Sequence, residues 1–276
     1  MSFSAEPTHL LLDGPFDEAG LRQLKGLDGL TGLTFFWHCD NLTASALEHL
    51  PTLAFLGIDG KLCTNEALRH IGKVPELRML LAQGAVATAA GYQSLSKSQT
   101  IEYFWGRDCE NFDTLGFRAL AAMPALRGFA ISCKNVDDDA LATLSDFPSL
   151  TQFIPMDFTD AGFRHIGNCA NLESLWCMYC RETGDAATEH IAGLQKLKHY
   201  YAGKTPITDR SLEILSPMHS LERIELWECA ALTDMGIQKL ANLPRLKEIT
   251  IHGSPNVTAA VESMFAPDVT VDYLRR

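Results

Sequence analysis

The fold is decided by the stretch Leu232-Thr-Asp-Met-Gly236-Ile237-Gln-Lys-Leu240-Ala-Asn-Leu243-Pro-Arg-Leu246-Lys-Glu-Ile249-Thr-Ile251, which combines two different spacings of apolar residues. From Ile237 to Leu243 the apolar residues recur every three positions, which is typical of a short amphipathic helix. The last apolar residues, Ile249 and Ile251, alternate with polar ones, which is typical of a strand with one buried face. The stretch therefore predicts one short helix followed by one short strand.

The same unit recurs along the chain. It is marked by a small residue followed by an apolar one, at Gly20-Leu21, Ala46-Leu47, Ala67-Leu68, Gly91-Tyr92, Gly116-Phe117, Ala140-Leu141, Gly162-Phe163, Ala187-Thr188 (with a polar second residue), Ser211-Leu212, Gly236-Ile237 and Ala260-Val261. The spacing of about 21 to 26 residues is typical of repeat proteins. One short helix and one short strand cannot bury their own apolar faces, so stacked neighbours must bury them.

The sequence Leu-Thr-Asp-x-Gly, as at Leu232–Gly236, and the sequence Leu-x-x-Ile-x-Leu-x-x-Cys, as at Leu221–Cys229, resemble the cysteine-containing class of leucine-rich repeats. This class occurs in the substrate-binding parts of F-box ubiquitin-ligase adaptors and in stand-alone bacterial repeat proteins. The resemblance covers nearly the whole chain. It implies an α/β fold, a leucine-rich-repeat solenoid (horseshoe) with a concave parallel sheet, outer helices and about ten to eleven repeats. It implies a scaffold and no particular reaction.

The repeat runs without a linker, so we predict a single leucine-rich-repeat domain over residues 1–276. Residues 1–15 are predicted to form an N-terminal cap with a first strand at His9–Leu12, and residues 257–276 a C-terminal cap with a last strand over Pro267–Tyr273. Repeat arrays need such ends to remain soluble. No F-box-sized helical segment precedes the first repeat, which argues against recruitment through an F-box.

Charge and composition exclude several classes of partner. The net charge of −11 disfavours nucleic acid and anionic membranes, which require a basic surface, and is compatible with a basic protein partner. Part of this charge has a structural explanation, because acidic residues begin several predicted helices, where they complement the helix dipole: Asp17, Asp113, Asp160, Asp209 and Asp234. The chain shows neither a signal peptide nor an apolar run of membrane-spanning length. Its eight scattered cysteines suit reduced thiols, so we expect a cytoplasmic protein.

Candidate catalytic and metal sites have simpler explanations in the repeat. Cys177 and Cys180 have zinc-ligand spacing, but Cys180 shares its repeat position with Cys39, Cys109 and Cys229, which predicts a ladder of small buried residues. Four histidines, His49, His70, His165 and His190, share one helix position, predicted to lie on the outer face. No phosphate loop, paired-carboxylate motif or nucleophile elbow occurs. We predict neither catalysis, nor a cofactor, nor a bound metal.

Large aromatic residues are concentrated at strand positions that should face the concave surface. All four tryptophans, Trp37, Trp105, Trp176 and Trp227, fall there, and Tyr103, Tyr179, Tyr201, Met156 and Met178 fall in or beside the same band. One interpretation is a partner-binding face, since exposed tryptophan and tyrosine are typical interface anchors. The alternative is that the aromatic rings pack sideways upon one another, because strands favour aromatic residues in any case.

Charged residues lie among the aromatic ones: Arg107, Asp108, Asp157, Lys204, Arg223, Glu225 and Glu228. Three histidines in strand segments, His38, His199 and His252, could also contact a partner. Of these, Arg107, Asp108, Glu225, Glu228 and His252 complete the predicted partner-binding set. This mixed rim suits recognition of a protein. We therefore predict a non-catalytic protein-binding module that acts as an inhibitor or immunity-type protein, or alternatively as a recruiting adaptor or delivered effector. An enzyme or metal site in the concave groove is the alternative of another class. The sequence predicts neither the identity of the partner nor an oligomeric state.

Overall fold

Short strands and short helices alternate along the chain, as the two spacings of apolar residues predict. The computed structural model describes residues 8–14, 16–27, 29–35 and 41–275. The chain divides into two compact units, which we call the N-terminal unit (residues 1–149) and the C-terminal unit (residues 150–276). The single domain over residues 1–276 stays a prediction.

Twelve strands and ten α-helices lie in the described residues. The strands of the N-terminal unit are β1 (His9–Leu12), β2 (Gly32–Phe35), β3 (Phe55–Gly57), β4 (Met79–Leu81), β5 (Tyr103–Gly106) and β6 (Gly128–Ser132), and those of the C-terminal unit are β7 (Gln152–Met156), β8 (Ser174–Met178), β9 (His199–Gly203), β10 (Arg223–Trp227), β11 (Glu248–His252) and β12 (Thr270–Leu274). The helices are α1 (Glu18–Arg22), α2 (Asn41–Ala46), α3 (Asn65–Ile71), α4 (Ala89–Leu95), α5 (Thr114–Leu120) and α6 (Asp138–Leu141), followed by α7 (Asp160–Ile166), α8 (Asp185–Ile191), α9 (Asp209–Leu215) and α10 (Asp234–Lys239). Short 3₁₀ helices, such as Ala259–Ser263 before β12, continue or replace several helices. The predicted first and last strands are confirmed as β1 and β12.

Within each unit the strands pair in parallel with their neighbours in the sequence, β1 to β6 in one and β7 to β12 in the other. Equivalent repeat positions pair directly, so that Ile224 lies beside Tyr200 on one side and Ile249 on the other. Equivalent residues therefore form continuous rows across the strands of each unit.

Alternate rows form the core. In the C-terminal unit, Leu175, Ile224 and Ile249 have no exposed side-chain surface, and Tyr200 is only 2% exposed. The helix rows cover them with Leu212 and Ile237, which are also fully buried. The period-two strand pattern and the period-three helix pattern thus meet in one apolar layer, as the sequence predicts.

The Thr-Asp pair of the repeat forms a hydrogen-bonded link between neighbouring repeats. The carboxylate of Asp209, in the first turn of α9, accepts from the backbone N–H of Thr233 at 2.9 Å and from its hydroxyl at 2.6 Å. Asp234 forms the same two bonds with Thr258 at 2.7 Å each. The acidic residues that begin these helices therefore do more than complement the helix dipole, because they fix the register of the next repeat.

The small residue of the repeat leaves room for this carboxylate. A Cβ atom added to Gly236 would lie 2.1 Å from Asp209 Oδ1, far inside van der Waals contact. In the N-terminal unit a Cβ atom on Gly91 would meet Asn65 Oδ1 at 2.7 Å, and this Asn65 oxygen accepts from the N–H groups of Thr88 and Gly91. At Gly236 and Gly91 a polar group of the preceding repeat therefore occupies the space that a side chain would need.

The cysteines form the predicted ladder of small buried residues. Cys109, Cys180 and Cys229 occupy equivalent positions, and their thiols donate to the carbonyls of Ala82, Pro155 and Ala202 in the preceding repeat, at 3.7, 3.3 and 3.5 Å. Burial raises the pKa of the Cys180 thiol to about 12, which keeps this group neutral. Cys39 lies outside the described residues.

The predicted outer-face position of four histidines is wrong for one of them. His49 and His190 are exposed and His70 is half-buried, but His165 is only 8% exposed. The Nε2 atom of His165 accepts a hydrogen bond from the side chain of Arg164 at 3.3 Å, so its polar edge is satisfied within α7.

We predict that Asp209→Ala lowers the free energy of unfolding by about 1–3 kcal/mol, because both hydrogen bonds to Thr233 are lost at a half-buried site. Asp209→Asn should cost less, since Asn65 fills the equivalent role with an amide. Urea unfolding followed by circular dichroism measures both values. Asp268→Ala, at an exposed residue before β12, is the control, and an equal loss in the control would contradict the prediction.

Gly236→Ala should also destabilise the fold, because the new Cβ atom would displace the Asp209 carboxylate. In the Asp209→Ala background the same substitution should cost much less, since the obstructing oxygen is gone. A double-mutant cycle measured by urea unfolding tests this coupling. If the two effects on the free energy of unfolding are additive, the contact with Asp209 does not determine which side chain position 236 tolerates.

Truncation of the inward rows should open cavities. Leu175→Ala and Ile224→Ala are each expected to cost about 2–5 kcal/mol, because both side chains are fully buried. Leu115→Ala is the matched control, since Leu115 is 55% exposed on α5, and it should change stability by less than about 0.5 kcal/mol. The unfolding midpoints in urea give the comparison.

A candidate protein-binding face

Strand residues between the buried rows point to the opposite side of the sheet from the helices. In the C-terminal unit, Trp176, Tyr201 and Glu225 occupy one such row, because Trp176 pairs with Tyr201 and Tyr201 pairs with Glu225. Trp227 and His252 occupy the next outward row and pair with each other. Five residues predicted from sequence are thus brought together on neighbouring strands.

Four of these residues carry rings that lie next to one another. We call them the aromatic band, which consists of Trp176, Tyr201, Trp227 and His252. Trp176 stacks on Tyr201 with 5.8 Å between ring centroids, Tyr201 lies 6.5 Å from Trp227, and Trp227 contacts the ring of His252 at 4.4 Å. All four side chains are half-buried. The rings therefore pack sideways, and each also keeps exposed surface on the sheet face.

Gly203 makes room for the centre of the aromatic band. This residue lies in the outward row between Met178 and Trp227. A Cβ atom at Gly203 would lie 2.5 Å from the hydroxyl oxygen of Tyr201 and 2.7 Å from its ring. Tyr201 therefore lies over the strand end at Gly203, and its position depends on that residue having no side chain.

Charged groups surround the start of the aromatic band. Glu225 accepts from His199 Nε2 at 2.9 Å and lies 3.1 Å from Arg223 Nε. The hydrogen bond from His199 lowers the pKa of the Glu225 carboxyl, against the opposing effect of burial, and the charge of Arg223 lowers it further. The indole N–H of Trp176 donates to Ser174 Oγ at 2.9 Å. This end of the band is therefore held in one arrangement by hydrogen bonds.

The other end of the band is also charged. His252 Nε2 lies 3.0 Å from Asp272 Oδ2, on the last strand. Burial raises the pKa of Tyr201 to about 12, so its hydroxyl is neutral at physiological pH. The surface combines aromatic rings with flanking carboxylates.

Tyr179 and Glu228 lie beyond the strand ends, next to the band. Tyr179 directly follows β8 and is half-buried, whereas Glu228 directly follows β10 and its side chain is 55% exposed. Lys204, which follows β9, places its Nζ atom 5.5 Å from the centre of the Tyr179 ring and 3.6 Å from Glu228 Oε2. The two predicted residues are thus connected through a lysine.

Four other predicted residues lie in the N-terminal unit. Tyr103 and Trp105 point outward from β5 and are half-buried. Arg107 Nε lies 3.1 Å from Asp108 Oδ2, and Asp108 also lines a groove of about 370 Å³ together with residues such as Gln83 and Asn111. These residues form a second, smaller group of aromatic and charged side chains on the sheet face of that unit.

Three residues of the sequence-based band remain, Trp37, Met156 and Met178, of which Met178 ends β8 and is half-buried. Trp37 lies outside the described residues. Met156 is only 4% exposed, so its inclusion in the exposed band is wrong. Three residues outside the predicted set contact the band. Arg223 was expected among the charges of the rim and His199 among the strand histidines that could contact a partner, whereas Asp272 was missed. Strict alignment of the outward rows would have found Asp272, because it pairs with Thr250 in an outward row.

No group of three or more histidine, cysteine, aspartate or glutamate side chains in the described part of the chain could hold a metal ion. None of the described helices combines the length and hydropathy that crossing a bilayer requires.

Comparison with known proteins identifies the architecture. No protein-family model matches the chain, and the search of curated proteins gives no match. Among solved structures, an internalin from Listeria monocytogenes matches with a TM-score of 0.52 and 14% sequence identity, over 97% of this chain and 86% of that chain. A chain of the yeast Rad7 and Elc1 complex matches with a TM-score of 0.45 and 14% identity, over 93% of this chain and 80% of that chain. With its repeats, parallel strands and likeness to the internalin, this chain has the leucine-rich-repeat fold.

Proposed function

We propose that the chain is a protein-binding module whose partner lies against the sheet face, and that it has no chemistry of its own. The observation that supports this most directly is the aromatic band, in which two tryptophans, a tyrosine and a histidine keep exposed surface on adjacent strands. Aromatic side chains bury large areas on binding at a low cost in conformational entropy, and they are typical interface anchors.

The proposed contact set includes both groups of outward residues. In the C-terminal unit it consists of the aromatic band with Tyr179, Glu225 and Glu228, and in the N-terminal unit of Tyr103, Trp105, Arg107 and Asp108. Trp37 belongs to the set by its repeat position in the sequence. The internalin likeness supports the fold that presents such a set, while the contacts themselves rest on the geometry of the side chains.

Two forms of this function fit the chain. An inhibitor or immunity-type protein would mask a basic enzyme, which suits the net charge of −11. An adaptor or delivered effector would use the same face and would need a second docking surface. The seven cysteines among the described residues are buried thiols, which supports a reducing compartment such as the cytoplasm.

We expect the triple variant Trp105→Ala, Trp176→Ala, Trp227→Ala to lose its partner while remaining folded. Truncation of a hot-spot aromatic residue costs roughly 2 kcal/mol or more of binding free energy, about 30-fold in affinity. The measurement is affinity capture from the native cell extract with both proteins as bait, followed by titration of the captured partner. Circular dichroism and urea unfolding check that the variant is folded.

The matched control removes exposed apolar side chains from the helix side. Leu115 and Met235 are 55% and 72% exposed on α5 and α10, and Leu115→Ala with Met235→Ala should retain the partner. Capture of the same partner by the folded tryptophan variant would move the interface away from the sheet face. Loss of folding in the tryptophan variant would show that these side chains are structural.

A further inference from the structure

At the ends of β5, β7, β8, β9 and β10 one residue after the last outward position has an unusual backbone conformation. Asp108, Asp157, Tyr179 and Lys204 have φ angles of 57°, and Glu228 has 53°. This left-handed region is unfavourable for residues with a Cβ atom and favours glycine. Gly84 and Gly253 occupy the equivalent position in other repeats, with φ angles of 74° and 65°. Seven repeats therefore share this conformation, and glycine takes the position in two of them.

The side chains at this position do not contribute to the core. The side chain of Lys204 is 43% exposed and that of Glu228 is 55% exposed, and Asp157 is exposed as well. These residues therefore carry exposed functional groups in a backbone conformation that glycine would adopt more easily. Such local strain is characteristic of binding and catalytic sites. In the C-terminal unit it occurs in four repeats in succession, directly beside the aromatic band.

One of these side chains shows which chemistry the surface attracts. The ammonium group of Lys204 lies over the ring of Tyr179 and 3.6 Å from the Glu228 carboxylate. An aromatic ring and a carboxylate together bind a cation, because the ring face is electronegative and the carboxylate supplies the opposite charge. Lys204 therefore occupies, from within the chain, a site suited to a cationic side chain.

The charge of the surrounding face is complementary to such a ligand. In β7–β12 and the residues that directly follow these strands there are five carboxylates (Asp157, Glu225, Glu228, Glu248, Asp272) and three cationic side chains (Lys204, Arg223, Arg275). Arg223 is already paired, with Glu225 at 3.1 Å and Glu248 at 3.2 Å. The stacked rings of Trp176 and Tyr201 offer planar aromatic surface beside these charges. A planar guanidinium stacks on such rings and also pairs with carboxylates, whereas an ammonium group lacks the planar geometry.

We propose that the aromatic band and the left-handed residues Tyr179, Lys204 and Glu228 form a recognition site for an arginine-bearing basic segment of the partner protein. This inference rests on the proposed function and specifies the chemistry of the partner. The arginine side chains lie on the aromatic rings and pair with Glu228, and they displace the Lys204 ammonium from the Tyr179 ring.

The test uses two peptides of equal length, one of alternating arginine and glycine and one of alternating lysine and glycine. Binding to the full chain is followed by calorimetry and by tryptophan fluorescence. We expect the arginine peptide to bind more tightly than the lysine peptide. Equal affinity for the two peptides, or no binding at millimolar concentration, would overturn the assignment of a guanidinium site.

Substitutions by glycine separate recognition from folding. Glu228→Gly should weaken binding of the arginine peptide by at least about tenfold, the equivalent of one lost charged contact. Lys204→Gly should tighten it, because the competing ammonium is removed. Both variants should have a melting temperature equal to or above that of the unmodified protein, since glycine is favoured at these φ angles.

Two control variants on the helix side each remove one charge, one negative and one positive, as the glycine variants do. Glu213→Ala and Lys239→Ala remove exposed charges from α9 and α10, and neither should alter binding of the arginine peptide by more than about twofold. If these variants changed the affinity as much as the glycine variants, the attraction would be a general effect of net charge and the proposal would be wrong.

The outcome is distinguishable from that of the proposed function. If the natural partner requires the tryptophans but the affinity of the arginine peptide does not depend on Glu228 and Lys204, the binding module stands and the guanidinium site is refuted. If neither the partner nor the peptide depends on the sheet face, both proposals fail.

Discussion

The structure depends on the contact between each repeat and the next. A single repeat has one short helix and one short strand, which is too little to enclose a core, so every buried row exists only because a neighbour covers it. The link from Asp209 to Thr233 fixes the distance and register of this contact through two hydrogen bonds. Gly236 is part of the same arrangement, because a side chain there would occupy the place of the carboxylate.

The regular stacking has a direct consequence for the opposite side of the sheet. Because strands pair at equivalent positions, side chains about 25 residues apart in the sequence become direct neighbours, as Trp176 and Tyr201 do. The exposed positions therefore form rows of their own, and their residues can vary while the buried residues of the core stay the same. The core rows carry the stability, and the outward rows are free to carry aromatic rings and charges. The left-handed residues at the strand ends extend this surface where glycine alone would suffice.

Much of this arrangement could be predicted from sequence. The repeat, the alternation of helix and strand, the two end strands and the buried cysteines follow from spacing, because each is a local property of about 25 residues that recurs. The outward position of Trp176 and Trp227 follows from strand alternation. The burial of His165 and Met156 did not follow, because neighbouring side chains determine it. The contacts of Glu225 with His199 on the neighbouring strand β9 and with Arg223 two residues away on β10 were also missed, because residue spacing does not record contacts between side chains.

By itself, the sequence determined the class of fold and the row to which each residue belongs, since the period of the apolar residues reveals both. Only the tertiary structure decided how the rows are used. The Thr-Asp pair could be recognised as a motif, yet its bonds join two repeats and depend on their separation. The stacking of Tyr201 between two tryptophans depends on Gly203 leaving space, and the left-handed conformation of Lys204 and Glu228 arises where the chain turns after a strand. These features are set by distances between groups far apart in the chain and by backbone angles, neither of which residue spacing records.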